Sequence, residues 1–288
     1  MAPCSGVTNR VAWAMIPFLK MHGLGNDFVV LDRRDGAPRL KPELARRLAD
    51  RRFGVGCDQV IVLEPPGRGD ADVFMRILNP DGSEAEACGN ATRCIADLVM
   101  EETGAGEARI ETLAGLLIGH RQDGGRMVSV DMGAPGLDWE KIPLARAMDT
   151  LALEGEFAGF LAPCAVSMGN PHIVFFVPDA QAVALENVGP KIEHDPLFPA
   201  RANIEFATIR PDGSIDLRVW ERGAGITLAC GSGACATMVA AVRRGLTGRR
   251  AAIDLPGGRL EMEWRESDGH VIMTGPVALS FRGEFAAA

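Results

Sequence analysis

The sequence predicts an α/β (α+β) protein made of two homologous halves related by a pseudo-two-fold axis. Three observations carry this. The chain has 288 residues, room for one large domain or two of ordinary size. MRILNPDGSEAEACGN (Met75 to Asn90) aligns without a gap on LRVWERGAGITLACGS (Leu217 to Ser232), with Arg76 on Arg218 and Cys88 on Cys230. Between Met132 and Ala145 the stretch MGAPGLDWEKIP is rich in Gly and Pro, as a boundary should be. The division expected is a tail over 1–15, a first half over 16–138 and a second over 139–288. A period this long means two domains, not a solenoid.

Taken in order, the elements support the repeat. Val11 to Leu19 is the nearest thing to a signal peptide, but Pro17 interrupts it and no small-residue cleavage site follows. Its second half reads as the first strand, and Met15 is a candidate initiator. GNDFVVLD from Gly25 and GNPHIVFFVPD from Gly169 open the two halves alike. The segments after the cysteines, Ala91 to Glu102 and Ala234 to Arg244, read as helices stopped near Gly104 and Gly245. Next, Arg109 to His120 and Ala252 to Trp264 each read as strand, turn, strand.

Composition narrows the function. A net charge of −8 leaves no basic stripe for nucleic acid. No apolar run is long enough to span a bilayer. Seven scattered cysteines make a poor disulfide framework, so reduced thiols in a cytoplasm are expected. No CxxC pair or HExxH motif supports zinc. CGSGACA lacks the third glycine of a dinucleotide loop. Lys20 is the one lysine beside a strong motif, and nothing around it reads as a phosphate cup for pyridoxal.

Equivalent cysteines in two halves can face opposite sides of one ligand. Inverting a stereocentre that bears hydrogen needs a base on one face and an acid on the other. A thiolate and a thiol suit this, since an unperturbed cysteine has a pKa of about 8.5. Cys88 and Cys230 each sit in a Cys-Gly-Asn/Ser turn that opens a helix, where free N–H groups and the helix dipole favour an anion. Two such ends would stabilise the charge building on a substrate carboxylate, and the same field is expected to lower the thiol pKa. Gly89, Gly231 and Gly233 let the backbone approach closely. For Cys4, Cys57, Cys94, Cys164 and Cys235 the plain reading is a small buried hydrophobe.

At these residues the sequence resembles the diaminopimelate epimerase family from Phe18 onward. The resemblance rests on MHGLGNDF (Met21 to Phe28), GCDQ (Gly56 to Gln59), ACGNATRC (Ala87 to Cys94), GNPH (Gly169 to His172), NIEF (Asn203 to Phe206) and WERGAG…ACGSGACA (Trp220 to Ala236). It implies two strand barrels, each around a central helix, with the active site in the cleft between them. It also implies cofactor-independent interconversion of LL- and meso-diaminopimelate, in lysine and cell-wall precursor synthesis, by a cytoplasmic homodimer.

Carried over by residue, the resemblance makes Cys88 and Cys230 the acid/base pair. The backbone of Gly89, Asn90, Gly231 and Ser232 would hold the reacting carboxylate, with Asn26 and Gln59 near the reacting centre. Asn79, Asn170, Asn203 and Arg222 would grip the distal end, and Glu221 would take its ammonium. His172 and Glu221 would adjust the thiols. Outside the motifs these residues have plain readings. Asn26, Asn79 and Asn170 suit turns, Gln59 a strand edge, His172 a structural role, and Glu221-Arg222 a surface pair. Ala91 and Thr92 stand where the family often has glycine and alanine, and Ser232 where it often has threonine. Two rival functions stand beside this reading: a neighbouring enzyme of the same fold class (a proline-type racemase or dehydratase, against which the distal polar set speaks, or a thiol-free isomerase, against which the paired cysteines speak), and a thiol redox sensor or non-catalytic amino-acid-binding protein.

Overall fold

The computed structural model describes residues 14–122 and 126–287. The tail read over 1–15 lies outside them except Ala14 and Met15, which already belong to the first strand. Cys4 is outside as well.

The first half runs β1 (Ala14–Gly23), β2 (Asn26–Asp32), α1 (Pro42–Ala49), β3 (Gln59–Glu64), β4 (Val73–Leu78), β5 (Glu84–Ala85), α2 (Gly89–Thr103), β6 (Glu107–Thr112), β7 (Gly115–Arg121) and β8 (Met127–Asp131). The second begins with a small hairpin, β9 (Glu156–Phe157) and β10 (Phe160–Leu161). It continues with β11 (Cys164–Ser167), β12 (Pro171–Phe176), α3 (Leu185–Glu193), β13 (Asn203–Ile209), β14 (Ile215–Glu221) and β15 (Gly225–Ile226). Then come α4 (Gly231–Arg243), β16 (Arg250–Leu255), β17 (Gly258–Trp264), β18 (Val271–Pro276) and β19 (Ala278–Ala287).

Strand pairing repeats the duplication seen in sequence. From β1 through β2, β3, β4, β6, β7 and β8 the senses are antiparallel, parallel, antiparallel, parallel, antiparallel, antiparallel. The series β11, β12, β13, β14, β16, β17 and β18 has the same senses in the same order. Register matches too: Phe28 lies beside Gln59, and His172 beside Asn203. Asn26 therefore corresponds to Asn170, and Gln59 to Asn203. The halves join where β8 pairs antiparallel with β18. The last strand, β19, returns to the first half and pairs with β1.

Each strand wall curls around a helix that is buried on nearly every side, as a core helix is. In α2 the buried residues include Ala91, Cys94, Ile95, Ala96, Val99 and Met100; in α4 they include Ala234, Cys235, Ala236, Met238, Val239 and Ala240. Small residues let wall and helix approach: a Cβ on Gly119 would lie 2.4 Å from that of Ala96. The stop signals hold, since Gly104 caps α2 at φ 72° and its N–H reaches the Met100 carbonyl. Outer cores lie under α1 and α3. Phe157, Phe160, Phe175, Phe198 and Phe206 cluster in the second of these, each full burial contributing roughly 1.5–3 kcal/mol.

Candidate active site

Cys88 is the N-cap of α2 and Cys230 the N-cap of α4, both with extended backbone. Neither side chain makes a capping hydrogen bond to its helix. A Cβ on Gly89 would lie 2.7 Å from the Met273 Cε, and one on Gly231 would lie 3.0 Å from its Sδ. The two Cys-Gly turns thus converge on one methionine. Asn90 crosses between the halves: its Nδ2 donates to the Ala229 carbonyl at 3.3 Å, directly before Cys230.

Around Cys88, Asn26 is held from two sides. Its Nδ2 donates to Asp58 Oδ2 at 2.9 Å, and its Oδ1 accepts from Asn90 Nδ2 at 3.1 Å. The Cys88 Sγ lies 3.8 Å from the same Oδ1. Around Cys230, Ser232 Oγ lies 3.6 Å from the sulfur and Asn170 Nδ2 donates to that Oγ at 3.4 Å. His172 Nε2 meets Asn170 Oδ1 at 2.9 Å, and its Nδ1 meets Glu205 Oε1 at 2.6 Å.

Two predicted pairs hold each other. Gln59 Nε2 donates to Asn79 Oδ1 at 3.0 Å, while Asn203 Oδ1 accepts the Arg222 N–H at 2.9 Å. Glu221 and Arg222 do not form the surface pair that their adjacency suggests. The strand β14 ends at Glu221, and Arg222 opens the turn that follows. Glu221 Oε1 accepts from Thr227 Oγ1 at 2.5 Å, whereas the Arg222 guanidinium donates to the Ala200 carbonyl at 3.1 Å. Burial pushes the Glu221 carboxyl up, and its charge bears on both thiols.

One expectation is corrected. The helix-start field was expected to leave the thiols with a lowered pKa, but both are raised. Burial pushes Cys88 to about 11, with Glu221 adding to it, and the N–H groups of Ala91 and Asn90 only partly oppose this. Burial also pushes Cys230 well up, helped by Glu221 and Glu205 against the Gly233 N–H and the Ser232 hydroxyl. Desolvation of an anion outweighs a few aligned dipoles.

The remaining described cysteines behave as core residues: Cys57, Cys94, Cys164 and Cys235 are buried and in no disulfide. Lys20 is occupied by Asp27 at 2.5 Å and by the Gly56 carbonyl. Among the described residues Asp131, Asp268 and His270 bring three ligand-type atoms together, but Arg265 already pairs with both aspartates. Asp58, Glu205 and Arg93, which donates to Asn90 Oδ1 at 2.9 Å, are parts of the site that residue-level reading passed over. Their only signal was membership of GCDQ, ACGNATRC and NIEF.

The sequence profile of the diaminopimelate epimerase family matches residues 18–137 and 164–280, which include every one of these side chains. The chain belongs to the diaminopimelate epimerase family. It is therefore an isomerase. It is 60% identical over 271 residues to the diaminopimelate epimerase of Rhodospirillum centenum, covering 93% of this chain and 92% of that one. It is 59% identical over 273 residues to that of Acidiphilium cryptum, covering 94% and 97%. Solved structures share the fold at low identity. A hydroxyproline epimerase from Agrobacterium vitis superposes with a TM-score of 0.68 at 18% identity, over 94% of this chain and 92% of that one. A methylitaconate-delta-isomerase gives 0.63 at 16%, over 95% and 96%. In this family member, no described helix is long and apolar enough to cross a membrane.

Proposed function

We propose that this chain interconverts LL- and meso-diaminopimelate without a cofactor, Cys88 and Cys230 serving as the two bases. The observation that carries the reading is the placement of repeat-equivalent thiols on two helix starts that converge on Met273. One thiolate takes the α-proton, and the opposite thiol delivers another to the far face. The roles are then exchanged, ready for the reverse reaction. The backbone N–H groups of Gly89, Asn90, Gly231 and Ser232 hold the reacting carboxylate and the charge that develops on it. Asn26 and Gln59 line the reacting end. Asn79, Asn170, Asn203 and Arg222 take the distal end with Glu221 as ammonium partner.

The raised thiols fit this chemistry. An amino-acid α-hydrogen is far less acidic than a thiol, so a desolvated thiolate is a better matched base, at the cost of a smaller ionised fraction near neutrality. His172 and Glu221 lie where they can adjust that balance. The same reading places the enzyme in lysine and cell-wall precursor synthesis, in the cytoplasm, as a homodimer, with the division near residue 138. Incubation with LL-diaminopimelate in deuterated water tests it: meso product with one α-deuterium is expected. Unchanged, undeuterated substrate would point to a binding protein, and racemisation of proline in its place to the proline-type alternative.

A further inference from the structure

Asn26 and Asn170 are repeat equivalents, yet their amides are turned in opposite senses. In the first half Asp58 accepts from Asn26 Nδ2, which leaves Oδ1 toward Cys88. In the second half the position of Asp58 is taken by the buried Ala202, so that anchor is missing. Instead His172 and Glu205 stand where the first half has Phe28 and Ile61. They hold Asn170 by its oxygen, and its Nδ2 is left toward Ser232.

The protons in this chain can be counted. An amide oxygen only accepts, so His172 Nε2 carries its hydrogen. His172 Nδ1 and Glu205 Oε1, 2.6 Å apart with both side chains fully buried, need a proton between them, or two lone pairs would face each other. The pair therefore holds one shared proton and has no net charge. Glu205 Oε2 has no hydrogen-bond partner among the described residues. An ionised oxygen left bare in the interior is costly, so the shared proton stays. Ser232, whose Oγ accepts from Asn170, is free to donate its own hydrogen to Cys230.

We propose that Glu205 is a positioning residue for Cys230: by keeping the proton on His172 it turns the Asn170 amide so that Ser232 donates to the sulfur. This rests on the reading of Cys230 as one of the two bases. The charged and titratable groups facing the chain are known. Cys230 faces Glu205 and Glu221, and Glu205 faces His172 and Glu221. Glu221 in turn faces His172, Cys230 and, from the other half, Asp58. Cys88 has no counterpart of the His172–Glu205 pair, so the two thiols should respond differently to its loss.

Glu205→Leu is the decisive variant, because it leaves His172 Nδ1 without a partner and frees the ring to take the tautomer whose bare Nε2 no longer holds Asn170 by its oxygen. Iodoacetamide alkylation of folded free enzyme, read at each cysteine by mass spectrometry across pH, should show Cys230 slowed about tenfold near neutrality, the loss of roughly one hydrogen bond's net contribution. The Cys88 profile should not move. Unchanged Cys230, or both cysteines shifting together, would overturn the proposal. Nitrogen-15 NMR of labelled histidine in the unmutated enzyme gives a second test that needs no variant. His172 should show a protonated Nε2 and a far-downfield proton shared at Nδ1; a bare Nε2 would overturn the proposal even if Glu205→Leu failed to fold. Both readouts judge Glu205 without turnover. A Cys230→Ala enzyme that still epimerised would sink the two-base reading, and the alkylation and NMR results would still decide this one.

Discussion

Val130 and Met273 face each other across the junction of the halves, and each is the repeat equivalent of the other. An antiparallel pair of equivalent residues places the pseudo-two-fold axis between them. Met273 then reaches from the axis to both Gly89 and Gly231. The fold thus sets the starts of both central helices about this point.

Gly257 should tolerate no side chain. A Cβ there would lie 1.9 Å from the Leu24 carbonyl oxygen, on the turn that leads into Asn26. Backbone cannot yield as a flexible side chain would. Gly257→Ala should cost about 1–3 kcal/mol of stability and lower turnover by displacing Asn26. Urea unfolding and epimerase assay check both; an unaltered midpoint would mean the turn gives way freely.

The buried thiols should make the protein sensitive to alkali. Cys57 is pushed up by burial to about 11, and Cys94 and Cys235 to about 12. In the unfolded chain these thiols ionise near 8.5, while the folded chain retains their protons. Stability is thus fully present below that value and is lost as pH rises through the folded values, by on the order of 2 kcal/mol per thiol. The chain has no tyrosine to confuse the window. Urea midpoints should fall from pH 8 to pH 11, and the fall should shrink in Cys94→Ala. A midpoint independent of pH would contradict the assignment.

Arg222 should act on binding. Its guanidinium rests on the Ala200 carbonyl, with no carboxylate partner among the described residues, and its N–H is fixed by Asn203. Arg222→Ala should raise the KM for diaminopimelate at least tenfold, the effect of losing a charge-assisted hydrogen bond. Arg222→Lys should recover part of it, because the planar fork is gone. An unchanged KM would remove Arg222 from the distal site.

Cofactor independence has its own test. Enzyme dialysed against chelator with reductant present should keep full activity. Activity lost there and restored by pyridoxal phosphate, flavin, nicotinamide or a metal would defeat the reading.

Much of this was legible in the sequence because a duplication doubles every signal. Both central helices, their glycine stops and the strand–turn–strand segments that follow them come from aligning Cys88 on Cys230. The thiol pKa was misjudged because a helix start can be read from sequence, while the depth at which Met273 and the two barrels bury it cannot. The supporting acids were missed for a related reason. Asp58 and Glu205 matter through the orientation of Asn26 and Asn170, and a spacing pattern carries no orientation. The return of β19 to β1 also leaves no local mark, since strand pairing between chain ends depends on the closed fold.

The central claim is that Cys88 and Cys230 each serve one face of the substrate. It is tested most directly by assaying Cys88→Ala, Cys230→Ala, Cys94→Ala and Cys235→Ala, each checked for folding by thermal melt. Cys94→Ala and Cys235→Ala should keep epimerase activity, with only the stability loss of a small core truncation. Cys88→Ala and Cys230→Ala should each lose epimerisation, yet eliminate a β-leaving group from opposite stereoisomers of a substrate analogue, because one base suffices for that half-reaction. A folded Cys88→Ala or Cys230→Ala enzyme that epimerises diaminopimelate at near the unmutated rate would contradict the two-base account.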